Sequence, residues 1–153
     1  MKFYRNKKGG SGTVELAPAL LVIFVVILIP MLDLLYLGLA YAAGWYCNHL
    51  VVREVACRNP ITDSVIAAQS ATDAWAGTGL AKFIGATTAT NVIVFNPVNP
   101  PTPAAPPVSV TVTTTVVVKP FLPIPFFMNV EGLNVPVSFT YSAERPQEEK
   151  GIQ

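Results

Sequence analysis

The residues able to do chemistry are few and poorly spaced for it. The only histidine, His49, stands between the only two cysteines, Cys47 and Cys57. They show neither C-x-x-C spacing nor a second ligand pair, which tetrahedral zinc sites use. No metal site is expected. On one straight helix the two cysteines lie about 15 Å apart, too far for a bridge. They stay free and mostly packed unless the helix breaks between them, and a bridge between subunits has no support in the spacing. Gly9, Gly10, Ser11 and Gly12 make a glycine-rich run, but no strand precedes it, so it does not read as a phosphate loop. No serine sits in a nucleophile elbow. The chain is therefore expected to be no enzyme and to need no cofactor.

Two acids, Glu15 and Asp33, stand out because of where they are. The stretch from Glu15 to Ala43 is apolar almost throughout, and from Leu16 to Leu39 it carries one charge, Asp33. A helix rises about 1.5 Å per residue, and roughly 20 such residues cross the hydrocarbon core of a bilayer. The stretch is long enough to span and to contact lipid. Lys2, Arg5, Lys7 and Lys8 precede it, with no acid before Glu15. The positive-inside rule then holds the N-terminus in the cytoplasm and puts the rest outside, in a bacterium the periplasm or the cell surface. Asp33 lies near the outer third of the span. It either snorkels toward the interface or meets a neighbouring subunit.

The chain has 153 residues, 52% hydrophobic and 12% charged, so beyond the anchor there is room for one small domain. A net charge of +1 gives no sign of a nucleic-acid surface. The leader is not an ordinary secretory signal. Its apolar run is too long, and no small-x-small site occurs before Ala40-Tyr41-Ala42.

A cut between Gly10 and Ser11 would make Glu15 the fifth residue of the mature chain. Glycine, cut, four residues, then glutamate heading an apolar helix resembles the layout of type IV prepilins. The segment GSGTVELAPALLVIFVVIL is more closely similar to TadE-like minor pilins, or pseudopilins, of the tight-adherence (Flp pilus) systems. The resemblance continues in VVREVACR at 51–58 and in the closing pair of strands. It implies cleavage by a prepilin peptidase. It also implies partners: the major pilin, a sister minor pilin and an inner-membrane assembly platform. Ser11 departs from the Phe or Met common at the first mature position, which bears on N-methylation.

Glu15 has a physical reason to be there. A carboxylate at the edge of hydrocarbon is costly unless paired. The cut frees an α-ammonium on Ser11, one helical turn away, within a subunit or on its neighbour. The plainer account makes Glu15 a helix-start acid that favours the dipole, with Thr13 as the cap.

The remaining elements follow from periodicity. One helix is expected from Glu15 to Arg58, on the order of 65 Å long, kinked or loosened at Pro30. Tyr36, Tyr41, Trp45 and Tyr46 form an aromatic belt. Asn59 and Pro60 end this helix and cap the next, whose core stripe is Ile61, Val65, Ala68, Thr72 and Trp75. That helix ends near Gly77 and Gly79 or frays on to Ile84. Asn91–Phe95 is a short strand, residues 96–107 form a stiff polyproline-like loop, and Val108–Lys119 and Val135–Tyr141 alternate as paired antiparallel strands. Between these two, Phe121, Phe126 and Phe127 lie in a segment too apolar for a free loop. It either folds under as core or presents an exposed patch to a partner subunit or the membrane surface.

The expected organisation is a basic leader at 1–10, a transmembrane and spine helix at 11–58, an α+β domain at 59–143 and a flexible charged tail at 144–153. The fold class is α+β and pilin-like, with a long N-terminal helix, a second helix and a small antiparallel sheet of about three strands. The expected function is a minor pilin that helps initiate, assemble or cap a pilus used in adhesion. The alternative is an uncleaved single-span anchor presenting a small periplasmic binding domain.

Overall fold

The computed structural model describes residues 11–121, 130–132 and 134–148, with backbone only at 11–15, 87 and 88. Helix α1, Ser11–Ala56, holds 46 residues and continues through Pro18 and Pro30. Its length is about 70 Å at the usual helical rise. Two shorter helices follow, α2 at Ser64–Ala76 and α3 at Gly79–Phe83, and then three strands, β1 at Ala86–Asn96, β2 at Ser109–Val118 and β3 at Val137–Pro146. The strands form an antiparallel sheet in the order β1-β2-β3. The layout is α+β.

Along α1 the buried residues recur every three or four positions. The stripe runs through Asp33, Tyr36, Ala40, Ala43, Cys47, Asn48, Val51, Val52 and Val55. That is the spacing of one helix face. Small side chains in its middle let the sheet approach closely. From β2 the inward face is Val110, Val112, Thr114, Val116 and Val118, all fully buried. The other face of the sheet carries hydroxyls, which pair across β2 and β3: Thr113 donates to Ser142 at 3.2 Å, and Thr115 lies 3.2 Å from Thr140.

β1 and β3 are longer than their apolar alternation predicts, while β2 falls one residue short of its expected bounds at each end. β1 begins at Ala86 because Gly85, at φ +57°, makes the left-handed turn out of α3. Its threonine-rich first half gains a ladder with β2 that no periodicity advertises. The expected cap at Asn59 is replaced by a local turn, in which the Ile61 N–H donates to Asn59 Oδ1 at 3.0 Å. Helix α2 therefore starts at Ser64, with Asp63 at the cap position. Ala68, Thr72 and Trp75 are buried as expected, whereas Ile61 and Val65 face outward and Ser64 and Ala67 are buried in their place. The second helix ends at Ala76 with Gly77 as its cap, and the residues up to Phe83 form the separate α3.

The expected flexible tail is corrected over its first part. β3 extends to Pro146, and Gln147 is buried. Its amide Nε2 donates to the carbonyls of Ala56 at 3.0 Å and Arg58 at 2.8 Å, while the Glu148 N–H donates to Ala56 O at 2.9 Å. These carbonyls at the end of α1 have no partner within the helix. The segment after β3 therefore closes the C-terminus of the spine. Residues 149–153 lie outside the described set.

Candidate membrane anchor and assembly site

The first half of α1 is bare. Every residue from Leu16 to Ile27 is exposed, with Phe24 at 64% and Leu21 at 65%. The helix is long and apolar enough to cross a membrane, and 11% of its most apolar window is buried in the fold. A core helix of the same composition would be covered. In water so large an apolar surface would aggregate, whereas a bilayer covers it at no such cost.

Ser11, the first described residue, lies in α1. Glu15 follows one turn later along the same helix. Gly10 and the basic leader lie outside the described residues, as do Phe126 and Phe127.

Asp33 is fully buried within the chain's own fold rather than exposed at the edge of the apolar run. Tyr36 leaves the expected aromatic belt for the same reason. It is 5% exposed, with Phe83 and Phe121 ring centroids at 6.1 Å and 5.3 Å. The stripe that docks the domain simply begins lower on α1 than the end of the apolar run. Phe121 itself is half-exposed, resting one side on Tyr36. It is part core and part surface.

Higher on the spine Tyr41, Trp45 and Tyr46 stay about half-exposed. Tyr41 meets Phe139 and Tyr141, and Trp45 lies 4.1 Å from His49. His49 is thus a stacking partner. Among the described residues no cluster of histidine, cysteine and acids could hold a metal ion. An open groove between α1 and α2, lined by Tyr46, Leu50, Glu54, Ser70, Trp75 and Thr78 among others, gathers one acid with the hydroxyls of Ser70 and Thr78 and no histidine, lysine or cysteine.

What fixes the spine to the domain is polar, and the sequence reading missed it. Asn48 Nδ2 donates to Val112 O at 2.9 Å, to Thr114 Oγ1 at 3.0 Å and to Tyr141 O at 3.4 Å. The Thr114 hydroxyl donates to Asn91 Oδ1 at 2.8 Å; Asn91 Nδ2 donates to Thr72 Oγ1 at 2.7 Å; and the Thr72 hydroxyl donates to Ala68 O at 2.8 Å. One chain of hydrogen bonds therefore links α1, β2, β1 and α2. Such a network fixes register, because a one-residue slip leaves buried groups unpaired. The available signal was an amide on the buried stripe between Cys47 and Val51, which has to find partners.

Both cysteines are free thiols, Cys47 buried and Cys57 exposed. Burial pushes Cys47 up to about 11. Cys57 is also raised, chiefly because its S–H donates to Glu148 Oε2 at 3.3 Å, and additionally by desolvation and the carboxylate's charge. Removing that carboxylate lowers the Cys57 pKa and raises its thiolate fraction at mildly alkaline pH. Alkylation of the native protein is expected to label Cys57 and spare Cys47 until the domain unfolds. Glu148→Gln should shift the pH profile of Cys57 labelling to lower pH. An unchanged profile, followed by mass spectrometry, would count against this contact.

Comparison of the chain with protein-family models, curated proteins and solved structures yields no match.

Proposed function

We propose that this chain is a TadE-like minor pilin, a subunit made as a prepilin and held in the inner membrane by α1. In this reading a prepilin peptidase cuts between Gly10 and Ser11, the N-terminus lies in the cytoplasm and the domain in the periplasm. The bare half of α1 then packs laterally against other pilin subunits at the assembly platform, and the protein helps initiate, assemble or cap a pilus used in adhesion. The observation that carries the reading is the division of one helix. Its first half is exposed and apolar, and its second half is built into an α+β domain. Such a subunit needs no cofactor, because packing of helices is the mechanism.

Glu15 supplies the specificity in this scheme. At the edge of hydrocarbon its carboxylate gains a counter-charge when the cut frees the Ser11 amine. The uncut anchor that presents a binding domain uses the same bare helix.

Two variants test the proposal in cells that make the pilus. Glu15→Ala and a cleavage-blocking Gly10→Val should each leave the protein in the membrane and abolish fibres, counted by electron microscopy. Normal fibre numbers in both variants would contradict it.

A further inference from the structure

The end of the domain nearest the bare helix is built unlike the other end. Leu32, Leu35 and Leu39 of α1, with Tyr36, Phe83 and Phe121, line an almost wholly apolar hollow of about 160 Å³. Leu35 is 64% exposed, Phe83 57% and Phe121 49%. The hollow adjoins the bare segment on the same helix, with no polar surface between them. Counted from Leu16 at the helical rise, Leu35 lies about 30 Å along α1, the thickness of the hydrocarbon core. Phe83 and Phe121 are held at that level by their contacts with Tyr36.

The two ends also differ in the type of cation they carry. Both lysines among the described residues, Lys82 and Lys119, are at this end and exposed. Lys82 precedes Phe83, and the Cβ of Lys119 lies beside Gly85, which also adjoins the Tyr36 hydroxyl. Arg53, Arg58 and Arg145 are at the opposite end, near the C-terminus of α1 and the start of β2. The other charged groups facing the base are Asp33, which is buried, and Glu131, which is exposed beside Gly132 where that glycine approaches Leu37.

We propose that the base of the domain is a lipid-binding surface: the hollow takes acyl chain from the adjacent leaflet, and Lys82 and Lys119 meet the phosphates of anionic phospholipid. This rests on the reading that α1 spans the membrane, and it adds a second contact that fixes the domain's height and tilt. Aromatic rings at the hydrocarbon edge and lysines reaching outward to headgroups are the side chains that suit that boundary. Each lysine near an anionic surface favours the charged lipid by up to about fivefold.

The test uses the full chain in mixed phosphatidylcholine–phosphatidylglycerol vesicles, with bromine on the acyl chains of one lipid or the other. Added tryptophan fluorescence is read in Phe83→Trp, Phe121→Trp and, as a mid-span reference, Phe24→Trp, relative to the parent protein. All three should be quenched. The first two should be quenched more by the brominated anionic lipid, and a Lys82→Glu, Lys119→Glu background should remove that preference while leaving Phe24→Trp unchanged. Quenching of Phe24→Trp with none at positions 83 and 121 overturns the lipid-binding base and leaves the anchor standing. Equal quenching by both lipids overturns the role of the lysines. Failure to quench Phe24→Trp overturns the spanning helix and this inference with it.

Discussion

Replacing Asn48 with alanine is expected to lower unfolding stability by about 3 kcal/mol, the larger of the two effects predicted for the spine. The amide reaches three acceptors, two of them on neighbouring strands at one level of the sheet. Thr114 and Asn48 are both essentially inaccessible to solvent. Deleting the amide removes three hydrogen bonds to buried acceptors, at roughly 0.5–1.5 kcal/mol each, and leaves a small void that is partly relieved by local collapse. For a small domain that loss is on the order of 15 °C in melting temperature. Near-ultraviolet circular dichroism in detergent micelles should show it. Thr113→Ala removes a hydroxyl bond of similar length on the outer face, and should change stability by less than about 0.5 kcal/mol. Similar melting of the two variants would mean that the chain of hydrogen bonds does not hold the domain to α1.

Gly44→Ala should destabilise the domain by about 2 kcal/mol, although alanine is the better helix former by about 1 kcal/mol. A Cβ at Gly44 would lie 2.6 Å from Tyr141 Cε2 and from its hydroxyl oxygen. The ring must swing away, and the 2.9 Å bond from the Tyr141 hydroxyl to Tyr41 O is lost with it. The sign of the effect is diagnostic. In a Tyr141→Leu background the clash is gone, so Gly44→Ala should become neutral or stabilising by up to about 1 kcal/mol. A double-mutant cycle measures the coupling directly. Equal destabilisation in both backgrounds would show that the glycine is needed for some reason other than the ring.

Much of this architecture is readable in the sequence, for reasons that also mark where reading stops. A spanning helix is a property of twenty successive side chains and needs no partner to recognise. The alternation of valine with threonine in β2 is likewise local, and the structure keeps that face buried. Contacts made at a distance are not legible in this way. Gln147 closes the end of α1 from the far side of the sheet, and no pattern near it says so. Asp33 looked like a residue of the lipid boundary because its neighbours are apolar. Its burial depends on how low the domain docks on α1, which only the fold decides. The apolar spacing puts Val65 on one stripe with Ala68, Thr72 and Trp75, but the face of α2 that docks runs through Ser64 and Ala67 and leaves Val65 exposed. For the site, the glycine, the serine and the glutamate at positions 10, 11 and 15 are legible as a short motif, and their meaning rests on that resemblance.

The account depends most on what happens at the N-terminus. Intact-mass and N-terminal peptide mass spectrometry should be run on the full-length protein extracted from membranes of cells with and without the prepilin peptidase. The expected result is a chain that begins at Ser11 when the enzyme is present and retains the basic leader when it is absent. A chain that keeps Met1 or Lys2 in both strains would contradict the pilin reading and leave the uncut anchor in its place.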